Sequence, residues 1–310
     1  MNFVLTLYGK LPNDTMLYRK LLPITLMETY WIFQSLSISL IIAFKVFDLS
    51  LEKKSDDDYI FIGGFGRSGT TLMRAILDSH PNIRCGPETK LIPRILDWQK
   101  RIFSTDQIMR QIMDAGIENS TIEESIRDFI KVIISKNGSK AKRLCDKDPN
   151  IAQYILFLKK IFPKSKFILM IRDPRAIVYS YSRIFKKTND FKYMNYTVKR
   201  WNNFMTKALN ECNEVGSKSC LKVNYERLVM NPEREIKIVV DFIGEKWSNS
   251  LMNHEKYVGS KVKISQTEWS SDQIKRKIHT NAIDFWRGKL PNDIENNFET
   301  MAPIFKLLGY

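Results

Sequence analysis

From Tyr59 to Arg94 the chain reads YIFIGGFGRSGTTLMRAILDSHPNIRCGPETKLIPR, and the spacing of its apolar positions changes twice. Tyr59 to Ile62 is an unbroken apolar run with the length of a buried strand. Gly63, Gly64, Gly66 and Gly69 follow, wrapped around Arg67 and Ser68. From Thr70 onward Leu72, Met73, Ile76 and Leu77 share one side of a helix that Pro81 closes. Ile122–Ile134 has helical spacing, acidic residues in its first turn, and Asn137-Gly138 after it. A short strand is expected at Arg143–Cys145, a helix over Ile151–Phe162 up to Pro163, and a fully buried parallel strand over Lys166–Ile171. Pro174 opens a helix through Ser180. Asn195–Cys212 reads as a long helix with Trp201, Phe204 and Leu209 as core, Leu221–Glu226 as a strand and its end, and Pro232–Ile243 as a helix. Ser260–His279 is polar and aperiodic. The expected fold is α/β, a central parallel sheet around a phosphate loop, flanked by helices.

The N-terminal pattern is different. Thr29–Phe44 carries no charge, and Leu21–Met27 extends it backward with interruptions at Pro23 and Glu28. Together they are about long enough to span a bilayer. Lys10, Arg19 and Lys20 precede them, which favours a cytoplasmic start. The expected organisation is a cytosolic tail (1–20), a signal-anchor (21–45), a polar stem (46–58) and a luminal domain (59–310). The competing reading of the apolar segment is a buried or interfacial helix.

A formal net charge of +15 over 310 residues calls for an anionic partner or a merely basic surface. No nucleic-acid motif and no basic tract with interleaved aromatics is present, so nucleic acid is not expected. An anionic cofactor with an acidic substrate accounts for the balance. Four cysteines, Cys85, Cys145, Cys212 and Cys220, allow three pairings and have no zinc spacing. Asn119, Asn137 and Asn195 head glycosylation triplets. His80, His254 and His279 have neither metal nor triad spacing and read as structural or exposed. No carboxylate cluster suggests a metal.

The glycine-rich turn between strand and helix is a phosphate cradle, since its backbone N–H groups and the helix N-terminus both favour an anion. Gly64 and Gly69 fit a nucleotide-hydrolase loop, but Thr70 stands at the lysine position, which argues against ATP or GTP hydrolysis. Arg67 can bring a bidentate cation instead. The run G-x-x-RSGTTLMRAILDSHPNIRCG-x-ET closely resembles the start of the catalytic domain of tyrosylprotein sulfotransferases, Golgi enzymes that move a sulfuryl group from PAPS to protein tyrosines. The resemblance runs from about Tyr59 to Tyr310 and is densest at the phosphate loop, CDKDP, RDPRA and SSDQ.

The resemblance implies a P-loop-like sulfotransferase fold, PAPS as donor with no metal, acidic tyrosine-containing protein substrates, a homodimer, and a type II Golgi membrane protein. It implies Glu88 as catalytic base, with Arg67, Lys147 and Ser270 stabilising the leaving charge. It implies cofactor contacts from Arg67, Ser68, Gly69, Thr70, Thr71, Arg172, Ser180, Tyr225, Ser270, Ser271, Asp272 and Gln273, and substrate contacts from Lys90 and Arg94. It also implies the pairs Cys85–Cys145 and Cys212–Cys220. Departures from the family pattern are Pro87 for an acidic residue, Lys90 for arginine, Phe285 for a cofactor lysine, and Ile184 for an arginine, with Arg183 one place earlier. A luminal carbohydrate sulfotransferase and a non-catalytic paralogue that binds acidic partners are the alternative functions.

Overall fold

The computed structural model describes residues 58–265, 268–270 and 272–310. The expected tail, anchor and nearly all of the stem lie outside the described residues, as does Ser271.

Five parallel strands form one sheet in the order β2-β3-β1-β4-β5: β1 Ile60–Gly64, β2 Ile83–Arg84, β3 Arg143–Lys147, β4 Lys166–Ile171 and β5 Cys220–Asn224. The apolar runs are strands because both sheet faces are covered. Phe61, Phe167, Leu169 and Ile171 face one core. Ile60, Ile62, Ile168 and Met170 face the other, as the two-residue period requires. The first core is filled by α4 (Asn119–Lys136), α5 (Ile155–Ile161), α6 (Pro174–Ile184) and the long α7 (Phe191–Glu214), whose Trp201 is fully buried. The second is filled by α1 (Thr70–Ser79) and α9 (Pro232–Ile243). Helices α2 (Leu91–Phe103), α3 (Asp106–Asp114) and α8 (Tyr225–Met230), with the short C-terminal α10 (Asn292–Asn296), α11 (Phe298–Met301) and α12 (Ile304–Leu307), complete the domain.

The helix expected over Ile122–Ile134 starts at Asn119, which takes Glu123 and Glu124 out of its first turn, and three further departures from the sequence expectation have a local cause. The segment Ile151–Phe162 is not one helix. A 3-10 turn over Pro149–Gln153 starts at Asp148, whose side chain accepts from Asn150 N, and Tyr154 then leaves the helical region at φ −138° before α5 begins. The Tyr154 hydroxyl bonds Asp97, a contact between distant parts of the chain that the break makes available. Tyr225 and Glu226 open α8 rather than end a strand, because the Asn224 side chain caps the helix by accepting from Arg227 N. Helix α7 starts four residues before Asn195, where Asp190 caps it through Tyr193 N. The two-residue strand β2 carries no pattern of its own; pairing with β3 makes it a strand.

Both expected disulfides form, Cys85–Cys145 and Cys212–Cys220. The first ties the segment after β2 to β3.

Candidate active site

The site lies at the carboxyl ends of β1, β3 and β4, where parallel sheets of this kind bind ligands. The turn after β1 needs its glycines. A Cβ on Gly64 would lie 2.5 Å from the Met170 carbonyl oxygen. Gly69, at φ +97°, caps α1, and a Cβ there would meet the Tyr225 ring at 2.5 Å. Between them Arg67 takes a left-handed backbone at φ 72°. That conformation disfavours a side chain and is held by the surrounding contacts. Arg67 Nε donates to Ser180 Oγ at 3.0 Å, and a terminal nitrogen donates to Ser270 Oγ. Burial, then the neighbouring Arg172, lowers the Arg67 pKa from its ordinary value. Ser68 is buried, and its hydroxyl has no hydrogen-bond partner among the described residues.

A cleft of about 430 Å³ opens over this turn. Arg67, Gly69, Thr70, Thr71, Glu88, Lys90, Arg94, Arg172, Tyr225, Ser270 and Gln273, all singled out from sequence, line it. A second recess of about 470 Å³ shares Arg67, Arg172 and Gln273 with the cleft and adds Ser180, Arg183, Ile184 and Phe285. Asp272 lines neither space; its carboxylate is exposed and pairs with Lys275 at 2.7 Å. His279, half-buried, lines both spaces.

Arg172 joins the two spaces. It donates to the Arg67 carbonyl oxygen at 2.8 Å and to the Ala282 carbonyl, and its guanidinium lies against the rings of Tyr225 and Phe285. Phe285 therefore offers Arg172 a ring face where the resemblance leads one to expect a second cation. Arg183 and Ile184 both border the recess, so the displaced arginine still reaches it.

Lys147 is 1% exposed and does not itself line the cleft. It stands behind Glu88 and Thr71, pairing with the Glu88 carboxylate, donating to Thr71 Oγ1 at 3.3 Å and pairing with Glu268 at 3.2 Å. Glu268 was missed by sequence reasoning, because a carboxylate in an aperiodic polar stretch looks like solvated surface. Its partner Arg74 was missed too, although an arginine on the buried side of α1 with Asp78 one turn on was a visible signal. Next to Lys147 on β3, Asp146 is buried; burial first, then Asp148, raises its pKa to about 8. Asp148 is raised to about 6, also chiefly by burial. Among the described residues no group of three or more His, Cys, Asp or Glu side chains could hold a metal ion.

A sulfotransferase family model matches residues 58–249. The chain is 39% identical over 268 residues to protein-tyrosine sulfotransferase A of Caenorhabditis elegans, covering 83% of this chain and 70% of that one. It is 38% identical over 261 residues to protein-tyrosine sulfotransferase 1 of Homo sapiens, covering 82% and 70%. Among solved structures, the sulfotransferase domain of the Synechococcus PCC 7002 olefin synthase superposes with a TM-score of 0.58 at 21% identity, covering 80% of this chain and 94% of that one. The sulfotransferase domain from the curacin biosynthetic pathway gives the same score at 19% identity, covering 80% and 97%. These two likenesses concern the fold. On its sequence and its five-stranded parallel sheet, the chain belongs to the protein-tyrosine sulfotransferase family.

Proposed function

We propose that this protein transfers a sulfuryl group from PAPS to tyrosine hydroxyls in acidic protein segments. The observation that carries the reading is Glu88, a carboxylate that lines the cleft beside the phosphate loop and is paired with Lys147.

The residues present fit the donor. The glycine turn, whose Ser68 hydroxyl has no partner among the described residues, suits one phosphate, and the recess around Arg172, Ser180 and Arg183 suits a second. Bound PAPS supplies the sulfuryl group and a phosphate oxygen as its leaving group. Glu88 takes the proton of the acceptor phenol, whose pKa of about 10 leaves it un-ionised at neutral pH. The Arg67 guanidinium and the Ser270 hydroxyl hold each other at the cleft, where they offset negative charge that grows during transfer. Lys90 and Arg94 line the acceptor side and supply cations for acidic neighbours of the tyrosine.

On this reading residues 59–310 are the luminal part of a type II Golgi membrane protein that is anchored through 21–45 and acts as a homodimer. Two disulfides support an oxidising compartment. No helix among the described residues is long and apolar enough to cross a membrane, and the expected anchor lies outside them.

The test is labelled PAPS with an acidic tyrosine peptide, run beside glycan acceptors. Transfer to the peptide is expected. Transfer to glycans alone would make the protein a carbohydrate sulfotransferase, and PAP binding with no turnover would make it a non-catalytic binder.

A further inference from the structure

Glu268 joins three parts of the site that are far apart in sequence. One carboxylate oxygen accepts from Arg74 at 3.0 Å; the other accepts from the Glu88 backbone N–H at 3.0 Å and from Lys147 at 3.2 Å. Arg74 is a fixed post, fully buried and bonded also to Asp78, to the Gly86 carbonyl and to the Lys263 carbonyl. Two residues on, Ser270 meets Arg67. Burial pushes the Glu268 pKa up, but Lys147 and Arg74 outweigh it and hold the carboxyl below its ordinary value.

We propose that Glu268 is a positioning residue for the transfer reaction: it is the permanent counter-ion of Lys147, and it latches the segment bearing Ser270 onto α1 and Glu88. This rests on the sulfation reading. An ammonium has three donors, and those of Lys147 go to Thr71, Glu88 and Glu268. When Glu88 takes the phenol proton it becomes neutral and its hold on Lys147 loosens. One lysine donor is then free to turn toward the leaving oxygen. Glu268 keeps the lysine charged and in place at that moment; without it the buried ammonium would lose its last carboxylate partner, a costly state.

Glu268→Gln and Glu268→Asp test this. The charged and titratable groups facing the cluster are Lys147 and Arg74, the carboxyls of Glu88, Asp78, Asp146 and Asp148, and the phenol of Tyr181, with Asp146 protonated and Tyr181 un-ionised at neutral pH. In Glu268→Gln one negative charge beside Glu88 is gone, which favours the Glu88 carboxylate. The acid limb of the kcat/KM profile should therefore move to lower pH, by roughly half a unit or more, with kcat down about tenfold. Glu268→Asp keeps the charge and shortens the reach, so kcat should fall while the limb stays. A wild-type limb in Glu268→Gln, or a rate loss that tracks only lost thermal stability, overturns the proposal. Hydrogen exchange on the unliganded protein needs no turnover: in both variants the Glu88 amide and residues 268–270 and 272–277 should exchange at least about fivefold faster, with the sheet unchanged. Unchanged exchange there overturns the latch even if wild-type protein sulfates no tyrosine, an outcome that would separately sink the sulfation reading.

Discussion

Arg172 lies over the ring of Tyr225, its guanidinium carbon 4.3 Å from the ring centroid. The same arginine bonds the Arg67 carbonyl, so the ring steadies the bridge between the phosphate loop and the second recess. A desolvated pair of this kind contributes up to about 2 kcal/mol, close to a thirtyfold change in affinity. Tyr225→Leu is expected to raise the Kd for PAP by about 3–30-fold in calorimetry. An unchanged Kd would make the stacking incidental.

Glu88→Ala should reduce turnover by on the order of 10²-fold or more while PAP binding is largely kept, because the phenol loses its base and the nucleotide spaces are intact. Single-turnover rates with saturating PAPS measure it. Near-normal rates would remove Glu88 from the chemistry.

Lys90 and Arg94 line the cleft, and neither makes an ion pair among the described residues. A tyrosine peptide flanked by Asp and Glu should have a higher kcat/KM than its Asn and Gln counterpart at low salt, and the gap should shrink as salt rises. Exposed pairs are worth about 0.2–1 kcal/mol each, so the double change Lys90→Ala/Arg94→Ala should remove part of the preference. A double variant with the full preference would assign selectivity elsewhere.

Asp146 gives a pH signature to stability. Its carboxyl ionises near 3.8 when exposed and near 8 in the fold. Between those values the folded state holds the extra proton, so this group's contribution to stability is full below about pH 4 and is lost as pH rises toward 8. Asp146→Asn removes the slope. The Tm of the variant minus that of wild type should therefore grow from pH 5 to pH 8, and parallel Tm curves would contradict the buried, protonated carboxyl.

All four cysteines are paired, so native protein should bind no thiol reagent until unfolded and reduced. Cys85–Cys145 closes a separation of 60 residues, and its removal should lower stability by about 2–4 kcal/mol in denaturant titrations. Rapid labelling of native protein would argue against an oxidising compartment.

The phosphate loop, the strands β1 and β4, and the helices α1, α4, α6 and α9 were legible along the chain because their signals are local. An apolar run, a change of period, a glycine turn and a proline act on near neighbours, and such signals are written in consecutive residues. The family's motif residues point to Glu88, Arg67 and Arg172, and all three line one cleft. Tertiary structure decided the rest. Glu268 reaches the Glu88 backbone across 180 positions, and Ser270 reaches Arg67 across 203. A carboxylate or hydroxyl in an aperiodic stretch looks the same whether it is solvated or buried. Only folding, which brings Lys147 and Arg74 around Glu268 and takes all three out of water, made that carboxylate a fixed part of the site. The break at Tyr154 has the same origin: helical propensity is a weak, local preference, and the cap at Asp148 with the Tyr154 bond to Asp97 outweighs it.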